Sequence, residues 1–170
     1  MVTATSLETR LRELAGAVPD PELPVITIAE LGVLRDVRLT APGHVEVDLT
    51  PTYTGCPAVE TMSADIERVL RAHGMARVEV RTVLSPPWST DHITDTGRRK
   101  LAEHGIAPPR PGHLTGGGHA PGPIPVGLAI RCPHCGSTET TLLSRFSSTA
   151  CKALRRCTTC REPFDHFKEL

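Results

Sequence analysis

Aromatic side chains are almost missing from this sequence: one Trp, one Tyr and three Phe occur among 170 residues. Phe146, Phe164 and Phe167 fall in the last third, so the core of residues 1–106 must be almost wholly aliphatic. Net charge is missing too, since 19 basic residues balance 19 acidic ones. That balance offers no electrostatic footprint for a nucleic-acid partner. No apolar run approaches the ~20 residues needed to span a bilayer, so no membrane partner is expected. The opening residues Met1-Val2-Thr3-Ala4-Thr5 show neither a basic nor an apolar signal region. Ser-His-Asp sets, Glu-x-x-His pairs and Gly-x-x-x-x-Gly-Lys loops do not emerge, and an independent enzyme is not expected.

What the sequence has instead is sulfur in a pattern. Cys132-Pro-His-Cys135 and Cys157-Thr-Thr-Cys160 are two C-x-x-C knuckles separated by 21 residues. A tight C-x-x-C turn aims two sulfurs at one point, and two such turns complete a tetrahedron. The spacing therefore predicts a four-thiolate metal site at Cys132, Cys135, Cys157 and Cys160, with zinc as the default and iron able to use the same ligands. A small region then folds around the metal. Gly136 suits the position after the first knuckle, where φ > 0 is common, and Arg161 suits the second less well. His134 and His166 are read as bystanders, because four cysteines already close the shell. Paired C-x-x-C motifs without an export signal point to a reducing cytoplasm.

Residues 1–106 read as a small α+β domain. Leu7, Leu11, Leu14 and Ala15 recur at helical spacing until Gly16. Asp20-Pro-Glu-Leu-Pro-Val25 is a rigid turn. Val33–Thr40 and Val45–Thr50 alternate as half-buried strands of an antiparallel sheet, joined by a hairpin at Ala41–His44. Val59, Met62, Ile66, Val69 and Leu70 form the apolar stripe of a second helix. A third strand over Arg77–Val83 and a helix over Ile93–His104 complete the order α-β-β-α-β-α. Helices on one face of a three-stranded sheet give a two-layer sandwich.

One stretch in this domain carries chemistry. Thr50-Pro-Thr-Tyr-Thr-Gly-Cys56-Pro57 runs from a strand end into a helix start. Cys56 sits at or beside the N-cap, where N–H groups and the macrodipole favour an ionised thiol. It is the candidate iron or cluster ligand, or reactive thiol. Asp20, Glu22 and the loop Ser85–His92 are candidates to assist it. The bland alternative is a small residue packing a tight turn. Trp88 is either a partner anchor or a lid over the core.

Ala107–Gly127 holds six Pro and six Gly in 21 residues, a composition that builds no core and reads as a linker. From Leu128 on, seven basic residues face four acidic ones. Four thiolates on a divalent metal offset most of that excess, which argues against a nucleic-acid module. Cys151 is either a fifth thiol near the site or a buried apolar group.

These residues carry a resemblance. Asp20–Val25, Ile28–Val33, Thr54-Gly-Cys-Pro57 and Pro86-Pro-Trp-Ser89 together resemble the SufT-like iron–sulfur cluster assembly domain. Phe146–Leu154 followed by Arg156–Asp165 is similar to the zinc-ribbon tail of the PaaD family of the phenylacetyl-CoA oxygenase (epoxidase) system. The resemblance implies three parts: an assembly domain over 1–106, a linker over 107–127 and a zinc ribbon over 128–170. It implies an accessory protein of aerobic phenylacetate breakdown, maturing an iron–sulfur or iron-containing component, with a transient iron or Fe–S cargo at Cys56. The implied partners are the oxygenase subunits, especially an Fe–S reductase component. The alternative is a non-catalytic adaptor that binds those subunits while Cys56 only packs.

Overall fold

The computed structural model describes residues 4–110 and 129–169. Most of the Pro/Gly-rich segment lies outside those residues. The chain divides into two compact units between Gly97 and Arg98.

The first unit opens with helix α1 (Ala4–Gly16), which buries Leu11 and Ala15. Its Glu8 carboxylate accepts a hydrogen bond from the Leu39 N–H at 2.8 Å, tying the helix to the next strand. The Asp20 turn follows: Asp20 Oδ1 accepts from the N–H groups of Glu22 and Leu23, both at 2.8 Å. A one-turn helix α2 (Ile28–Leu31) comes next, too short for hydrophobic periodicity to show. Thr27 and Glu30 form a reciprocal capping box around it, the T-x-x-E signature in its shortest form. Gly32 ends α2 at φ 77°, with its Cα so close to His92 that a Cβ would meet the carbonyl oxygen at 2.4 Å.

Strands β1 (Leu34–Ala41) and β2 (His44–Leu49) form the expected hairpin. Helix α3 (Ala58–Ala72) then crosses the sheet and returns the chain as β3 (Arg77–Thr82). Strand order is β1-β2-β3, and β3 runs parallel to β2. The sheet is thus mixed rather than wholly antiparallel, because a helical crossover brings a strand back in the same direction. Val45, Val47 and Leu49 of β2 face the helices and are buried. Helix α3 answers with Ala58, Met62, Ile66 and Leu70, a narrower stripe than the sequence suggests, since Val59 and Val69 are only half-buried. Each fully buried Leu or Ile contributes about 1.5–3 kcal/mol, which lets an aliphatic core stand without aromatics.

The opposite face of the sheet is polar. Arg38 there lies 2.6 Å from Asp36, 2.7 Å from Asp48 and 3.3 Å from Glu46. The Arg38 guanidinium holds the Asp48 carboxyl below the usual carboxylate range. A 3₁₀ turn (Thr90–His92) and helix α4 (Asp95–Glu103) close the order. Trp88 is buried and its indole N–H donates to the Leu31 carbonyl at 3.0 Å, so it is a lid over the core.

The second unit is one four-stranded sheet of order β4-β7-β6-β5. Its strands are β4 (Ile106–Ala107), β5 (Thr140–Ser144), β6 (Lys152–Cys157) and β7 (Pro163–Phe167). The last three form an antiparallel meander, and β4 adds to β7 in parallel. Residues 98–107 therefore group with the C-terminal sheet, ahead of the boundary expected at residue 106. Ala107, Ile130, Cys132, Cys157 and Phe164 make its core.

Candidate functional site

Two sulfur stations stand in the structure, and they differ in character. The first is the quartet. Cys132 and Cys135 lie in the loop before β5, Cys157 ends β6, and Cys160 lies in the turn into β7. The four sulfurs lie within 4.8 Å of one another. Cys132 Sγ is 3.8 Å from Cys160 Sγ, and Cys135 Sγ is 3.6 Å from Cys157 Sγ. A tetrahedral zinc with Zn–S bonds of about 2.3 Å needs sulfurs about 3.8 Å apart, so the quartet fits the metal. None of the six cysteines is in a disulfide.

Backbone geometry makes the fit. Gly136 has φ 75°, and its N–H donates to the Cys132 carbonyl at 2.9 Å. Arg161 repeats that conformation at φ 68°, the one non-glycine among the described residues to do so. The N–H groups of Cys160 and Thr159 point at the Cys157 sulfur and pull its thiol down to about 6. A link unforeseen from the sequence joins the knuckles: the Ser137 and Thr159 hydroxyls are 2.8 Å apart. His134 and His166 stand outside the cluster. His166 is buried with no hydrogen-bond partner at Nε2, and burial, with Arg155 nearby, pushes it down to about 4. Cys151 is buried and also outside the quartet, with Thr149 Oγ1 3.1 Å from its sulfur, which makes it a packing residue.

The second station is Cys56. Pro57 is the N-cap of α3, and its side chain makes no cap hydrogen bond. Cys56 stands one residue earlier, half-buried, and its sulfur accepts hydrogen bonds from the Ala58 N–H and from Tyr53. Both bonds favour the thiolate, as the sequence suggests. They are outweighed. Burial is the largest influence and pushes the thiol up, and the nearby Glu22 and Asp20 carboxylates push it further. The expectation that Cys56 ionises more easily than a free thiol is thus corrected: local charge and burial override the helix terminus. Glu22 and Asp20 act on the thiol through their charge, and they do not gather with it into a three-ligand cluster among the described residues. Tyr53 is a further neighbour that its place in the sequence does not single out.

The Ser85–His92 loop is committed elsewhere. His92 Nδ1 accepts from the Ser89 N–H at 3.0 Å, and its Nε2 lies 3.4 Å from Arg35 Nη1. Arg35 also donates to Thr50 Oγ1 and to the Pro86 carbonyl, both at 3.0 Å. The loop still contributes Pro87 and Trp88, with Leu84 before it, to a small cleft of about 100 Å³ that includes Thr50–Thr54. The position a Cβ would take on Gly55 has nothing within 4 Å, so the approach to Cys56 is open at that residue. Among the described residues one other potential ligand group, His44, Glu46 and Glu79, lies on the polar sheet face. Its Glu46 is already held by Arg38 and Arg81 at 3.3 and 3.0 Å.

This pairing of units defines a class: an iron–sulfur-assembly-type domain followed along the chain by a four-cysteine ribbon. Residues 8–83 match the family described as iron-sulfur cluster assembly protein. Residues 125–168 match the PaaD zinc beta ribbon domain. A protein of Escherichia coli (strain K12) named as the D component of a 1,2-phenylacetyl-CoA epoxidase is 48% identical over 155 residues, covering 91% of this chain and 88% of its own length. An Fe-S protein maturation auxiliary factor of Porphyromonas gingivalis (strain ATCC BAA-308 / W83) is 31% identical over 85 residues, 49% of this chain and 80% of its own. The crystal structure of a domain of unknown function, DUF59, from Bacillus anthracis superposes with a TM-score of 0.54 at 29% identity, covering 58% of this chain and 93% of the other. The chain belongs to the PaaD family. No described helix is long and apolar enough to cross a membrane.

Proposed function

We propose that this chain is an accessory protein of a phenylacetyl-CoA oxygenase system that helps load an iron–sulfur or iron-containing component, most directly the Fe–S reductase component. The supporting observation is the half-buried Cys56 thiol at the entrance to α3, with open space at Gly55 before it, in the segment that matches the assembly family. The raised thiol matters here. Cys56 is protonated near neutral pH, so taking up cargo displaces a proton and a returning proton helps release it. Such a site holds metal transiently, which is what a carrier needs. The four-cysteine centre, by contrast, is coordinatively closed and shapes the ribbon. Carrying both modules on one chain raises the effective concentration of Cys56 at a client that the ribbon engages.

The test is to produce the client reductase component alongside this chain or its Cys56→Ser variant. Iron and acid-labile sulfide per reductase are then measured. A several-fold loss of cluster with an unchanged melting temperature of the variant is expected. Unchanged cluster content sinks the proposal. A stoichiometric complex with the oxygenase components that tolerates loss of Cys56 favours the adaptor role instead.

A further inference from the structure

Among the described residues four large hydrophobic side chains are strongly exposed, and three of them belong to one short stretch: Leu142 at 49%, Leu143 at 54% and Phe146 at 64%. Leu142 and Leu143 belong to β5, the end strand of the ribbon sheet among the described residues. An apolar edge strand is an aggregation hazard that folded proteins normally blunt with charge or cover. Clustered exposed apolar groups mark an interaction surface.

The charges around this edge say what covers it. Leu143 lies in an open groove with Thr141, Arg156, Thr158 and Arg161, floored by the metal ligand Cys157. Arg145 is exposed in the following turn. The ion pairs of this unit that involve ribbon residues are Lys152–Asp165 and Arg110–Glu169, so Arg145, Arg156 and Arg161 have no carboxylate partner among the described residues. Lys168 is stacked over the Phe146 ring at 4.7 Å, adding a fourth cation. Arg161 is the most telling. It holds a left-handed conformation that costs a non-glycine residue roughly 1–2 kcal/mol and that glycine adopts without cost, as Gly136 does in the first knuckle. The second knuckle thus presents a cationic side chain at the groove where the first presents none.

We propose that the β5 edge and the Leu143–Arg161 groove dock an extended segment of a partner protein in which acidic and apolar side chains alternate. The segment adds as a fifth strand beside β5. Its backbone pairs with the β5 edge that no described strand occupies, alternate apolar side chains cover Leu143, and a carboxylate enters between Arg156 and Arg161. A nucleic acid is the poorer occupant, because it would leave Leu143 facing phosphate and would leave the strand edge unpaired. This proposal does not depend on Cys56.

The test uses the full zinc-loaded chain and a fluorescein-labelled decapeptide of alternating Val and Glu, followed by anisotropy and by amide hydrogen exchange. Binding with protection of the β5 amides is expected. Arg161→Gly, which keeps the backbone conformation, and Leu143→Asp should each weaken it at least tenfold with zinc content unchanged. A Val/Lys peptide should not bind. Equal binding of the Val/Lys peptide, undiminished binding by Arg161→Gly, or absence of β5 protection overturns the proposal. So does a single-stranded oligonucleotide that competes for the same edge while the Val/Glu peptide does not bind.

Discussion

Lys152 and Asp165 form an ion pair at 3.0 Å whose lysine side chain is only 6% exposed. Asp165 also accepts a hydrogen bond from the Ser147 hydroxyl, so one carboxylate holds β6, β7 and the turn that presents Phe146. Removing one partner of a buried pair leaves the other uncompensated and costs about 3 kcal/mol. Asp165→Ala is expected to lower ribbon stability by that amount in urea denaturation. Lys152→Met with Asp165→Leu should restore most of it, since no lone charge then remains.

Metal removal should separate the two units. The ribbon core consists of Ala107, Ile130, Phe164 and two members of the cysteine quartet itself, Cys132 and Cys157. Binding free energy at such a site is folding free energy. Chelation, or Cys135→Ser, should abolish exchange protection in β5–β7 and leave that of β1–β3 intact. Retained protection in β5–β7 after full zinc loss would contradict this.

Cys56 should behave as a reluctant nucleophile. Its thiol lies above the ordinary 9.0, first through burial and then through Glu22 and Asp20. Alkylation by iodoacetamide should therefore be slow at pH 8 and rise only above pH 9, with Glu22→Gln moving the inflection down. The stability consequence has a definite sign. The folded state binds the thiol proton more tightly than the unfolded state, so this contribution is intact below pH 9 and is lost as pH rises through the folded value. Cys56→Ser should flatten that alkaline decline.

Much of this molecule is legible in its residues, for identifiable reasons. The quartet can be read because two knuckles at fixed spacing have one geometric solution. Helix α3 and the β1–β2 hairpin can be read because their apolar periods run long enough to count. Helix α2 is hidden, since four residues carry no period, although Thr27 and Glu30 advertise its cap. The acidity of Cys56 is misjudged from sequence because the helix terminus is local while Glu22 and Asp20 reach the thiol only through the fold. The direction of β3 follows from the crossover helix and not from its own residues.

Gly32 offers a sharp mutational contrast. Alanine there would need φ 77° and would place its Cβ 2.4 Å from the His92 carbonyl. At Gly43 the φ of 73° is similar, but the nearest atom is 3.7 Å away. Gly43→Ala should cost about 1 kcal/mol from backbone conformation alone. Gly32→Ala should cost at least about 3 kcal/mol, measured by the same denaturant midpoint, because strain and collision add.

The short strand β4 has a practical consequence. Ile106 and Ala107 precede the Pro/Gly-rich segment, yet they pair with Asp165 and His166 of β7. A fragment truncated at the start of that segment would carry all four thiols and still lack the strip that shields one side of its own sheet. Bare on both flanks, such a piece would self-associate, so an excised version must start far enough upstream to bring its cover along.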